Sequence, residues 1–127
     1  MSSTPTLDRI EQVGTRRVKP GGFGVTKDGL PSNHIVCADG FALSVVAGYG
    51  AYCSPRPSAF SNLADVPPTY GGPYHEVEVG FPSQRPEPWR GVWETFAETP
   101  EHPTGTVYGY VPVGLVRSLI ESHGGEA

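Results

Sequence analysis

The chain is poor in several things that most function classes require. Cys37 and Cys53 are its only cysteines, too few for a disulfide framework, and both are expected as free, partly buried thiols of a reducing compartment. No stretch approaches the roughly 20 apolar residues of a membrane span, and residues 1–30 lack the apolar run of about 7–15 residues that marks a secretory signal. Charge is scarce at 17% of residues, which argues against a charge-rich disordered chain. Hydrophobic residues make up only 37%, whereas glycine (17) and proline (14) are abundant. Because the apolar residues are clustered and periodic, that balance predicts a compact sheet with long, stiff loops. At 127 residues one domain with one core is expected.

The net charge of −4 is unevenly spread. Residues 1–27 hold Arg9, Arg16, Arg17, Lys19 and Lys27 against Asp8 and Glu11, so the acidic excess lies in the remainder. A basic arm on an acidic body can meet a polyanion, but no Lys/Arg run exceeds two residues, so nucleic acid is not the expected partner.

Residues 1–22 read as a flexible leader. Thr4-Pro5 could start one helical turn carrying Leu7, Ile10 and Val13, but Gly14 and Pro20-Gly21-Gly22 end it, and the single domain is expected to span residues 23–127. Two strand-like runs, 34–38 and 41–47, are joined by Asp39-Gly40, a dipeptide that tolerates the positive φ of a tight hairpin. Phe41, Leu43, Val45 and Ala47 fall on one face of the second run. In 74–81, His75, Val77, Val79 and Phe81 share a face opposite Glu76 and Glu78, the mark of a half-solvated antiparallel sheet. Trp89, Val92, Trp93, Phe96 and Ala97 make a short helical stripe, ended by Pro100. Residues 106–111 return as a strand with Tyr108 and Tyr110 on one face. Pro112 then opens a last helix that buries Leu115, Val116, Leu119 and Ile120. The fold class is therefore α+β: a mostly antiparallel sheet of four to five strands, a C-terminal helix and one short additional helix.

No catalytic motif stands out. A zinc set of His34, Cys37, Cys53 and His75 fails at its first pair, since His34 and Cys37 point to opposite faces of a regular strand. Cys53 or Ser54 with His75 and Glu76 would be a nucleophile set, but no nucleophile elbow flanks them. The glycines at 21–24 and 48–50 lack the lysine and the strand–loop–helix context of a phosphate loop and read as turns. No catalytic residue, metal or cofactor is assigned on this reading. The feature that does stand out is aromatic residues with arginine in and beside the loop 48–73 and the proline-rich 82–90. Tyr49, Tyr52, Arg56, Tyr74, His75, Arg85, Trp89 and Arg90 are the expected ligand- or partner-binding residues, with Tyr70 in the same stretch. Arginine supplies paired donors to phosphate or carboxylate, and tyrosine and tryptophan supply stacking faces.

Residues 39–57 (DGFALSVVAGYGAYCSPRP), 74–89 (YHEVEVGFPSQRPEPW) and 106–125 (TVYGYVPVGLVRSLIESHGG) resemble a group of small proteins encoded by phages of actinobacteria. The resemblance spans residues 23–127 and brings no catalytic residues with it. It implies an accessory viral protein made in the host cytoplasm, outside the replication machinery. On that basis the expected function is a non-enzymatic binding protein that counters a host defence process. It would sequester an anionic, nucleotide-like signal or block a host protein. A virion structural or assembly protein and a small Cys/His-dependent hydrolase are the alternatives. A homodimer is expected through an apolar patch at Tyr108 and Tyr110.

Overall fold

The structure, a computed structural model, describes residues 2–59, 62 and 65–127. Helix α1 (Pro5–Val13) is followed by short strands β1 (Arg17–Val18) and β2 (Val25–Thr26). Next come β3 (His34–Val36), β4 (Ala42–Val46), β5 (Glu76–Gly80), a 3-10 turn (Trp93–Phe96), β6 (Val107–Pro112) and α2 (Val113–Ser122). The architecture is α+β, in keeping with the strand punctuation. Strands β3-β4-β5-β6 form one antiparallel sheet in sequence order, and β1-β2 form a separate two-stranded ribbon. No helix among the described residues is long and apolar enough to cross a membrane.

One face of the sheet carries the core. Leu43 and Val45, Val77 and Val79, and Tyr108 and Val111 are buried, as are Leu7 and Ile10 of α1 and Val116, Leu119 and Ile120 of α2. Both sheet edges are covered, which removes the unpaired backbone that invites edge-to-edge association. Along β3, the Ala127 N–H donates to the Val36 carbonyl (2.9 Å) and the Ala38 N–H to that of Gly125 (2.8 Å). Along β6, the Glu98 N–H donates to the Val107 carbonyl (3.0 Å). The hairpin closes with the Cys37 N–H on the Phe41 carbonyl (2.7 Å), a three-residue loop. Within it Gly40 takes φ 93, the left-handed position that glycine fills without a Cβ penalty.

Three expectations need correction. The boundary at 22/23 does not divide the packing, because the expected leader is integral to the core: Leu7 and Ile10 are 0% exposed. A nine-residue helix is marginal alone, and this one is held from distant parts of the chain. The Glu126 carboxylate accepts from the N–H groups of Thr6 (2.9 Å) and Leu7 (3.3 Å) at its start. The Glu11 carbonyl accepts from the Tyr74 N–H (2.7 Å), and Ala47 accepts from Thr15 (2.8 Å). Pro20-Gly21-Gly22 belongs to the turn between β1 and β2 and uncouples nothing. Second, β5 is shorter than the 74–81 pattern implies. Val77 and Val79 point inward, but His75 and Phe81 are exposed, and Phe81 turns away with φ 47. Third, Tyr108 and Tyr110 do not share a face: Tyr108 is 0% exposed and Tyr110 is 38% exposed. The two-tyrosine patch expected to drive dimerisation is therefore absent. The short additional helix is the Trp93–Phe96 turn inside the expected stripe, with Trp93 buried edge-to-face against Tyr108 at 5.5 Å.

Candidate functional site

The divergence of the two tyrosines has a local cause. In the β5–β6 ladder Val77 faces Val111 while Val79 faces Tyr108, so Gly109 and Tyr110 together oppose Glu78. This is a β-bulge, a feature enriched beside binding and active sites because it re-aims a side chain. Tyr110 absorbs the extra residue with φ 55, left-handed backbone that costs a bulky residue about 1–2 kcal/mol. Its N–H leaves the ladder and donates to the Tyr52 carbonyl (3.0 Å).

Tyr52 sits over the bulge. A Cβ on Gly109 would come within 3.2 Å of the Tyr52 Cβ, so the missing side chain lets the loop lie close. The Tyr52 N–H donates to Glu78 Oε1 (3.0 Å). The rings of Tyr52 and Tyr110 are 6.0 Å apart at 45°. Arg56 joins them: its guanidinium lies 5.6 Å from the Tyr52 ring centroid, and Nη1 donates to the Tyr110 hydroxyl (3.2 Å). The Arg56 backbone is clamped by Asp65, whose Oδ2 accepts the Arg56 N–H (2.9 Å) and whose N–H donates to the Arg56 carbonyl (3.0 Å). Among the described residues the guanidinium has no carboxylate partner, since the ion pairs are those of Arg85, Arg117 and His123.

Beside this trio is a cleft of about 450 Å³, lined by Tyr52, Val107, Gly109 and Tyr110 on one side and by Thr95, Phe96 and Glu98 of the edge-covering segment on the other. That volume lies within the usual range for small-molecule sites. A second cleft of about 450 Å³ lies between α1 and residues 29–31. It offers Asp8, Arg9 and Gln12 among apolar groups, but no aromatic face and no strained residue.

The other expected binding residues are dispersed. Tyr74 is buried, its hydroxyl donating to the Tyr70 carbonyl (3.1 Å) and its ring edge-on to Tyr70 at 5.5 Å. Burial holds its phenol well above the ordinary range. Tyr74 is thus a staple of the long loop. Tyr49 lines a separate cleft of about 290 Å³ with Val18 and Val25. His75 is exposed, and among the described residues its hydrogen bonds are those of its backbone, to Ser54 (2.9 Å) and Val113 (3.0 Å). Arg85 bonds Glu87 at 2.8 Å and lies 5.7 Å from the centroid of the nearly buried Trp89. Arg90 is exposed nearby. The structure thus brings together Tyr52 and Arg56, assembles Arg85 and Trp89 as a second group, and leaves Tyr49, Tyr74 and His75 apart.

Sequence reasoning missed Tyr110 as a site residue, along with Gly109, Phe96 and Glu98. A signal was present: Gly109 inside a strand pattern marks a bulge or a close backbone approach.

Neither cysteine is set up as the nucleophile of the hydrolase alternative. Cys53 is 0% exposed, its Sγ is placed against the carbonyls of Gly48 (3.6 Å) and Pro55 (3.5 Å), and burial pushes the thiol up, opposite to what attack requires. Cys37 is likewise buried and raised. Among the described residues no three His, Cys, Asp or Glu side chains group for a metal. Comparison of the chain with protein-family models, with curated proteins and with solved structures gave no match.

Proposed function

We propose that the protein is a non-enzymatic binding protein whose cleft at Tyr52, Phe96 and Tyr110 takes a small anionic ligand bearing a flat ring, of the nucleotide type. The resemblance to actinophage proteins would imply an infected host as the setting, where withdrawing a nucleotide-like signal would counter a host defence. The observation that carries the reading is Arg56. Its charge is held across two tyrosines with no carboxylate partner among the described residues, and its backbone is fixed before any ligand arrives. Preorganisation of this kind lowers the entropy lost on binding, and an unpaired guanidinium beside aromatic faces suits an anionic group joined to a ring. The acidic remainder of the chain makes this local positive charge a point of orientation.

The test is an amide-resolved NMR titration of the ¹⁵N-labelled chain with the four nucleoside 5′-monophosphates. Shifts should concentrate at Tyr52, Arg56, Phe96, Gly109 and Tyr110. A charge-assisted bond contributes about 1.5–3 kcal/mol, so Arg56→Ala should weaken binding by roughly one to two powers of ten at unchanged melting temperature. No shifts at millimolar nucleotide, or shifts confined to the α1 cleft, would remove the proposal.

A further inference from the structure

Resting on that reading, we infer that the cleft selects the base as well as the phosphate: Glu98 accepts from the Watson–Crick edge of guanine while Arg56 holds the anionic group. Glu98 lines the aromatic cleft together with Tyr52 and Tyr110, the two tyrosines that hold Arg56. Arg56 reaches it through Tyr52 and Tyr110, and Glu98 lies on the segment that covers the β6 edge. The backbone around Glu98 is pinned, with its own N–H on the Val107 carbonyl (3.0 Å) and the next N–H, that of Thr99, on Thr106 Oγ1 (2.8 Å). Its carboxylate is exposed and makes no hydrogen bond or ion pair among the described residues. The neighbouring carboxylates differ: Glu78 accepts the Tyr52 N–H (3.0 Å), and Glu94 accepts that of Gly91 (3.4 Å). Glu98 is therefore the cleft's unengaged acceptor pair.

Base chemistry then decides the ligand. A carboxylate presents two acceptors and no donor, so it needs two adjacent donors. Guanine offers them as N1–H and the 2-amino group. Adenine sets an acceptor, N1, beside its amino group, and cytosine does the same with N3. Uracil flanks its single N–H with carbonyls. Each of those three would turn a lone pair toward the carboxylate, which costs more than the missing bond alone. Tyr52, Phe96 and Tyr110 offer ring surface to any base and so add affinity without discrimination.

The experiment is isothermal titration calorimetry of the full chain with GMP, IMP and AMP, repeated on Glu98→Gln. A well-formed pair of bonds to a base edge discriminates by about tenfold to a hundredfold, so GMP should exceed AMP by that factor. IMP, which lacks the 2-amino group, should fall between them. Glu98→Gln should bring GMP down to the AMP value with an unchanged melting temperature. Equal GMP and AMP affinities, or a GMP preference that survives in Glu98→Gln, would overturn the guanine assignment and leave the anion-and-ring reading standing. Failure of all three nucleotides to bind at millimolar concentration would overturn both.

Discussion

Leu7→Ala and Ile10→Ala test whether helix α1 belongs to the folded core. Both side chains are 0% exposed, and Val13 on the same helix is 37% exposed, so one element supplies its own control. Truncating a fully buried Leu or Ile removes its transfer energy and leaves a cavity, about 2–5 kcal/mol in each case. With an unfolding entropy near 2.1 cal/mol/K per residue, a 127-residue chain loses roughly 11 °C of melting temperature for every ~3 kcal/mol. Each single variant should therefore melt about 7–18 °C below the parent, and Val13→Ala within about 2 °C of it. The double variant loses about 4–10 kcal/mol, a large part of the 5–15 kcal/mol typical of a domain. It should be substantially unfolded or molten at 37 °C. Thermal melts followed by circular dichroism at 222 nm, with near-ultraviolet spectra for tertiary packing, read all four variants. Leu7→Ala melting with the parent, or a chain lacking residues 1–14 melting with it, would refute the integral role of α1. Residues 1–22 would then be a leader after all.

Tyr110→Gly separates strain from function: glycine takes φ 55 without penalty, so stability should hold within about 1 kcal/mol in urea titration. The same variant should lose nucleotide-induced NMR shifts, and unaltered shifts would count against Tyr110 as a ligand contact. Acid stability should reflect two carboxyls held below the ordinary value of 3.8: Asp8 by the Ser2 hydroxyl and then by Arg117 and Thr4, and Asp39 by the Phe41 N–H and then by His123. A lowered folded-state value contributes stability in full above the unfolded value and loses it as pH falls through the folded one. The parent's melting temperature should thus fall as pH drops below about 4, and fall less steeply in Asp8→Asn/Asp39→Asn; equal slopes in the two chains would contradict the assignment.

The parts of the fold legible in the sequence are those fixed by neighbouring residues. The Asp39-Gly40 hairpin, the alternation of Val77 and Val79 with Glu76 and Glu78, and the Val116–Leu119–Ile120 face of α2 each follow from a period or a turn that local sterics impose. The part that escaped is fixed by residues far away. Helix α1 has no side-chain cap at Thr4; its first N–H groups are satisfied by Glu126, near the other end of the chain. Its end is fitted by Gly14, where a Cβ would stand 2.9 Å from both the Ala47 carbonyl oxygen and the Tyr74 ring. No window of sequence around residues 5–13 contains those partners, and a helix of that length without them is correctly read as marginal.

The site was half legible for a related reason, and β6 shows it most clearly. Strand periodicity puts Tyr108 and Tyr110 on one face and Val107, Gly109 and Val111 on the other. The core instead takes both Tyr108 and Val111, each 0% exposed, a combination that a regular strand cannot present. Burying a large side chain contributes about 1.5–3 kcal/mol, more than the ~1–2 kcal/mol that one residue at positive φ costs, so inserting a bulge between them is favourable. Gly109 would take the positive φ most cheaply, yet Tyr110 takes it. Gly109 has another task, because Tyr52 Cβ lies where its own Cβ would be 3.2 Å away. The outward turn of Tyr110 is what places its hydroxyl under Arg56 and its ring beside Tyr52. In a regular strand that ring would lie on the core face with Tyr108, and Arg56 would have no hydroxyl to bond. The loop arginine and tyrosine could be found from composition, but the residue that completes them depended on a phase change set by packing on the opposite face of the sheet.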